Sequence, residues 1–214
     1  MSTAIKEIVD ERRTIEGVDN VWPDTVEGIA HLAFVTDDMT ATMEFWTTVL
    51  KMQLVAAKRV PTGLDEDAAA RGEPPYSWVR HYFFSMGKDQ MVAFFEYPKD
   101  ENIPLANRDH LGGMQHVAFH VPPERFEAMC DHVKSCGVEV KGPMAIGKFT
   151  QAFYFFDNNG MRLEINTYRD DSPRKGNVGP CLNNRAEAEK ELKTLFDDPA
   201  KVEYWLDRMP LDNR

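Results

Sequence analysis

A chain of 214 residues with 43% hydrophobic and 28% charged residues has the composition of one ordinary globular domain or two small ones. Its net charge of −10 speaks against a nucleic-acid or anionic-membrane partner, because neutralising phosphates requires a basic face. No apolar run is long enough for a transmembrane helix, and three cysteines without a CxxC spacing speak against a disulfide framework or a thiolate zinc site, so a reducing, cytoplasmic setting is expected.

Residues 1–27 read as an N-terminal arm whose opening, MSTAIKEIVDERR, alternates charged and apolar residues and does not resemble a signal peptide. A first module follows over 28–98. The strand GIAHLAFV leads into DDMTATMEFWTTVLKM, where Met39, Met43, Trp46 and Leu50 make one helical stripe and Asp37 or Asp38 is available as N-cap. The strand QLVAAKRV, a Pro- and Gly-bearing polar insertion, and the hairpin SWVRHYFFSM–GKDQ–MVAFFEYP complete it. Residues 99–112 are a polar linker.

The second module, 113–168, repeats the plan. GMQHVAFHV is a strand, and PPERFEAMCDHVKSCG a helix with Phe126, Met129, Cys130 and Val133 as its apolar stripe. Pro122 and Pro123 suit its first turn, and Gly137 its C-terminal stop. Three strands follow, GVEVKGPMAI, QAFYFF and, after the turn DNNG, MRLEINTY. Both modules therefore read β-α-β-β-β. The tail, 169–214, begins as a polar loop. It then carries a helix around NRAEAEKELKTLFDD, with Leu192, Leu195 and Phe196 as apolar contacts, and a short helix in PAKVEYWLDRM. These helices are expected to pack on the modules or on a partner subunit.

Side chains alternate faces along a strand. His116, Ala118 and His120 thus share one face of the second module's first strand, and His31, Ala33 and Val35 share one face of its counterpart. A lone histidine in such a strand reads as a hydrogen-bonded core residue. Two of them at matching positions of a repeat can aim at one point between the modules, and two neutral imidazoles bind a divalent transition metal once a third ligand is present. Glutamates supply candidates: Glu164 lies 48 residues after His116, and Glu96 lies 65 residues after His31. A strand glutamate flanked by apolar residues is costly unless it is paired or metal-bound, although a strand-end glutamate facing solvent is the plainer reading. Glu96 stands two residues further from its turn than Glu164 does from DNNG, an even offset that should keep the face but not the depth.

Paired βαβββ modules, each opening Gly-x-x-His-x-Ala-Phe, resemble the vicinal oxygen chelate superfamily of glyoxalase, bleomycin-resistance and extradiol dioxygenase proteins. FYFFDNNGMRLEI is similar to that superfamily's Tyr-Phe-x-Asp-Pro-x-Gly-x-x-x-Glu element, with Asn158 at the proline position. The resemblance spans residues from about 28 to 168 and implies an α+β fold in which two modules form a curled, cup-like mixed sheet around one divalent metal. It places His31, His116 and Glu164 at metal-ligand positions, and Glu96 at a fourth position used by glyoxalase-like members.

The resemblance also frames the chemistry: the metal, as Lewis acid and template, chelates two neighbouring substrate oxygens. Three protein ligands of the two-His-one-carboxylate kind suit Fe(II) and leave room for substrate and O₂. Four, with Glu96 as ligand and base, suit Zn, Ni, Co or Mn. The aromatic runs HYFF, AFFEY and FYFF suit a planar phenolic ligand. Phe153, Tyr154 and Asp157 resemble the extradiol signature, in which the tyrosine bonds substrate or bound oxygen; simple packing of Tyr154 is the alternative. The histidine that this signature carries before the tyrosine is missing from AIGKFTQ, leaving His81, His110 and His120 as substitutes, with His120 expected at the rim and His132 in solvent.

The leading expectation is an Fe(II) extradiol-type dioxygenase acting on a catechol-like or other vicinal-oxygen small molecule, with Tyr154 orienting substrate or oxygen. A glyoxalase- or epimerase-type lyase or isomerase using Glu96 is the alternative, and a metal-free bleomycin-resistance-like binding protein the third. A homodimer with the tail as contact is the expected assembly.

Overall fold

The apolar alternation of the first strand and the stripe of the first helix settle into a sheet with a helix on one face. A computed structural model of the protein describes residues 28–61, 78–97, 104–169, 171–172 and 182–211. The N-terminal arm, most of the polar insertion and Cys181 lie outside the described residues. The first module comprises β1 (His31–Thr36), α1 (Met39–Thr48), β2 (Gln53–Pro61), β3 (Trp78–Gly87) and β4 (Gln90–Glu96). Its four strands lie in the order β1-β4-β3-β2, with β1 parallel to β4 and the other pairs antiparallel.

Helix α1 starts at Asp38, whose Oδ1 accepts from the Ala41 amide at 3.0 Å, an N-cap that satisfies an otherwise unpaired donor. Trp46 on its inner face is fully buried and packs on Phe94 and Phe84, at ring-centroid distances of 5.1 and 6.5 Å. Truncating such a residue to alanine costs about 3–5 kcal/mol.

The second module repeats the order with β5 (Val117–His120), α2 (Pro123–Ser135), β6 (Lys141–Ile146), β7 (Thr150–Phe156) and β8 (Arg162–Tyr168), arranged β5-β8-β7-β6 with β5 parallel to β8. Pro123 occupies the first helical position of α2, and Gly137, at φ 80°, follows its last turn in the left-handed region that glycine adopts without strain. Phe126, Cys130 and Val133 of α2 are buried against Phe153, Phe155, Leu163 and Ile165.

One core runs through both modules. Trp46 meets Phe119 edge-on at 6.1 Å and Phe45 meets Phe155 at 6.4 Å. Beside them, Thr36 Oγ1 donates to Asn159 Oδ1 at 2.7 Å and Asn158 Nδ2 to Thr42 Oγ1 at 3.0 Å, tying the end of β1 and the start of α1 to the β7–β8 turn. The architecture is α+β, two four-stranded mixed sheets with interspersed helices.

The C-terminal helices form a small core of their own. Helix α3 (Arg185–Leu195) opens with a capping box between Asn184 and Glu187, and α4 (Pro199–Leu206) packs Val202 and Leu206 on Ala188. The contact row on α3 is Ala188, Leu192 and then Phe196, while Leu195 is 73% exposed rather than packed. Among the described residues, no helix is long and apolar enough to cross a membrane.

Candidate metal centre

Strand β8 alternates cleanly. Leu163 and Ile165 turn into the core, and Glu164 between them turns to the opposite face with its side chain only 9% exposed. The β5–β8 register sets Ala118 opposite Glu164, so His116, two residues before Ala118, lies on the same face. Its Nε2 stands 3.0 Å from Glu164 Oε2. The other ring nitrogen, Nδ1, is held by the side-chain oxygen of Gln115, which fixes the ring's orientation and leaves Nε2 directed at the carboxylate.

Three further side chains surround the pair. Asn166 Nδ2 donates to Glu164 Oε1 at 3.2 Å, and Asn166 Oδ1 lies 3.4 Å from Nδ1 of His120. The Tyr154 ring stands edge-on to His116 at 6.1 Å, and its phenol lies close to the Glu164 carboxylate. Burial, and then the neighbouring Glu164 carboxylate, push the Tyr154 phenol above its ordinary pKa, so it is a donor at neutral pH. No Lys or Arg pairs with Glu164 among the described residues. A nearly buried carboxylate with only an imidazole, an amide and a phenol around it suits a bound cation. Two ligand atoms about 2.0–2.2 Å from one ion and at right angles lie about 3 Å apart, so the donor chemistry of His116 and Glu164 fits a divalent metal.

Residues 28–165 match the family model described as the Glyoxalase/Bleomycin resistance protein/Dioxygenase superfamily. The chain belongs to this superfamily. Among solved structures, it is similar to a glyoxylase/bleomycin resistance protein/dioxygenase domain from Frankia sp. EAN1pec, with TM-score 0.55 and 14% identity over 69% of this chain and 96% of that one. It is also similar to a glyoxalase/dioxygenase from Nostoc punctiforme, with TM-score 0.51 and 19% identity over 73% and 100% of the two chains. A third, the fosfomycin resistance protein FosX from Listeria monocytogenes, has TM-score 0.50 and 16% identity over 74% and 100%. No curated protein matches.

Within this superfamily chain, the first module departs from the second. His31 faces the same side of its sheet as Ala33, Met91 and Ala93, and it is exposed. Its ring meets Phe83 edge-on at 5.7 Å. Among the described residues, no three His, Cys, Asp or Glu side chains converge as a metal cluster, so His31 stands apart from the His116–Glu164 pair.

The expectation that Glu96 keeps the face of His31 does not hold. The β1–β4 register pairs Glu96 with Thr36, on the helix side of the sheet. There Oε1 accepts from the Met39 amide at 2.8 Å at the start of α1, and Oε2 pairs with Arg80. The residue that corresponds to Glu164 is Ala93, opposite Ala33 just as Glu164 is opposite Ala118, and it is fully buried. The cause is the turn. The β3–β4 hairpin turns through two residues of positive φ, Lys88 and Asp89, with an irregularity at Ser85–Gly87, whereas the second hairpin closes from the Asp157 amide to the Met161 carbonyl at 3.0 Å. Counting back to unlike turns misplaces the side chain.

Of the substitute histidines, His81 stacks on Phe95 at 3.7 Å and lies 4.3 Å from Phe83, with Nε2 buried and unbonded among the described groups. Burial, and then His31 and Lys58 nearby, lower its pKa, which keeps it neutral. His110 is exposed and bonds Asn107, and His132 reaches the Thr48 carbonyl at 2.9 Å. Asp157 works in the turn: Oδ1 accepts from the Asn159 and Met161 amides at 2.9 and 2.8 Å. Sequence reasoning passed over Gln115, Asn166 and Arg162. Arg162 and Asn166 are two residues either side of Glu164 and share its face, a signal that strand alternation alone contains.

Proposed function

We propose that the chain is a metal-dependent enzyme of the superfamily, an Fe(II) extradiol-type dioxygenase acting on a catechol-like or other vicinal-oxygen small molecule. The observation that carries this reading is the carboxylate inventory: Glu164 shares a face with His116, and Ala93 stands at the corresponding place in the first module. With Glu96 turned to the helix side, a three-ligand set of His31, His116 and Glu164 is favoured over a four-ligand one, and the lyase or isomerase reading loses its proposed base.

His116 Nε2 and Glu164 Oε2 would hold the ion; His31, at a ligand position by family resemblance, stands apart from this pair and would have to be brought to the ion to serve as the third ligand. A bound divalent ion supplies Lewis acidity to two adjacent substrate oxygens, and iron adds access to O₂. The protein's own groups prepare the site. Gln115 fixes the His116 tautomer, Asn166 orients the Glu164 carboxylate, and the Tyr154 hydroxyl is a neutral donor beside both. A substrate oxygen at this place would receive the Tyr154 proton as a hydrogen bond. His120, linked to Asn166, adjoins that network and is the candidate for moving a proton.

Metal analysis of protein purified without oxygen, followed by O₂ uptake with a panel of catechols, tests the proposal. Stoichiometric iron with catechol-dependent uptake is the expected result. Zinc or nickel with no uptake would return the lyase or isomerase reading.

A further inference from the structure

A cavity of about 310 Å³ opens beside Tyr154, between strands of the second sheet and the segment that precedes β5, and Arg108, Lys141 and Arg162 line it together with Glu139 and Phe156. In a chain of net charge −10, three cations around one small cavity run against the overall balance. Lys141 and Arg162 make no ion pair among the described residues, and Arg108 approaches Asp109 Oδ1 only to 3.9 Å, beyond hydrogen-bond distance.

The two guanidiniums lie over aromatic rings. Arg162 Cζ lies 4.3 Å from the centre of the Tyr154 ring, and Arg108 Cζ 5.7 Å from that of Phe156. A guanidinium that lies over an aromatic ring can still offer its N–H fork to the two oxygens of a carboxylate or phosphate. Arg162 and Glu164 are two residues apart on one face of β8, about 7 Å along the strand, and Tyr154 neighbours both, its ring lying under the Arg162 guanidinium and its phenol close to the Glu164 carboxylate.

We propose that this cavity binds an oxyanion, a carboxylate or phosphate-type group carried by the substrate whose paired oxygens are presented at His116 and Glu164. The identity of the anion's carrier rests on the function proposed above; the anion site itself does not. Glu139 sets the limit on charge, leaving an excess of cationic groups for the ligand. The site thus selects a substrate with an anionic substituent about one residue pair away from its chelating oxygens.

The experiment has two arms on the full chain. In the first, metal-free protein is titrated calorimetrically with benzoate, inorganic phosphate and neutral benzamide. Benzoate and phosphate should bind and benzamide should not, and Lys141→Gln should weaken both anions by on the order of tenfold, with Arg162→Gln at least as damaging. Lys141 is exposed, so its substitution keeps the test open if the Arg162 variant fails to fold. Equal binding of benzamide, or affinities unchanged in Lys141→Gln, overturns the site.

In the second arm, iron-loaded protein is assayed with catechol and 3,4-dihydroxybenzoate. The expected result is a higher kcat/KM for the carboxylated substrate, a preference lost in Lys141→Gln, and competitive inhibition by phosphate. Anion binding without such competition assigns the cavity to a separate anion and overturns the substrate assignment. Anion binding in a protein that oxidises no catechol removes the dioxygenase proposal and leaves the anion site standing. Turnover without anion binding or preference does the reverse.

Discussion

Nε2 of His116 faces Oε2 of Glu164 at 3.0 Å, and the opposite edge of the imidazole is held by Gln115. His116→Ala and Glu164→Gln should each lower divalent-metal affinity by at least about 100-fold, more than the loss of a supporting partner causes. Calorimetric titration with Mn(II), alongside circular dichroism to verify folding, checks this. Stoichiometric binding retained in folded His116→Ala would remove the centre.

Asn166 reaches the same carboxylate from its other oxygen. Asn166→Ala should leave the ligands in place and cost metal affinity about 10–100-fold, the usual loss when an orienting partner is removed. His120→Ala, which removes the contact with Asn166, should change metal affinity less while shifting the pH profile of turnover. Equal losses of metal in the two variants would place His120 on the metal itself.

Glu96 makes the opposite forecast. It accepts the Met39 amide at the start of α1 and pairs with half-exposed Arg80, so its role is to anchor the helix. Glu96→Gln should keep metal binding and lower stability by about 1 kcal/mol, the scale of a helix N-terminal contact. Urea unfolding and metal titration of one sample separate the two effects. A loss of metal without a loss of stability would bring the four-ligand reading back.

Asp157 gives a pH signature. Burial, opposed by hydrogen bonds from the Met161 amide and from the amide and side chain of Asn159, raises its pKa above the ordinary carboxylate value. The folded state therefore holds the proton at pH values where the unfolded chain has released it, so this group's contribution to stability rises as pH falls through the folded-state pKa. The stability of the wild type relative to Asp157→Asn should accordingly improve from pH 7 towards pH 4, measured by urea midpoints. A relative decline on acidification would mean that the Asn159 and Met161 donors outweigh burial.

The periods of the sequence carried the architecture. Trp46, Phe126, Cys130 and Val133 fall where helical spacing puts them, and the alternation of β5 and β8 is enough to set His116 and Glu164 on one face. Glu96 was not legible because its face depends on a turn, and a two-residue turn of positive φ differs from the Asp157–Met161 closure in a way that apolar spacing does not record. Arg80, which pairs with Glu96 from the neighbouring strand, was hidden for the same reason. Where His31 stands relative to the second module depends on how two modules pack, a property of Trp46–Phe119 and Phe45–Phe155 contacts rather than of any local pattern.

Ala93 and Glu164 occupy matching places in the two halves, one a methyl group and the other a carboxylate. Backbone symmetry and chemical symmetry part at this pair. The first half offers imidazole and phenyl rings on the face of His31, and the second offers carboxylate, phenol and guanidinium around His116. A duplicated fold thereby presents two chemically different faces: a molecule bound across both, as proposed above, would meet rings at one end and charge at the other.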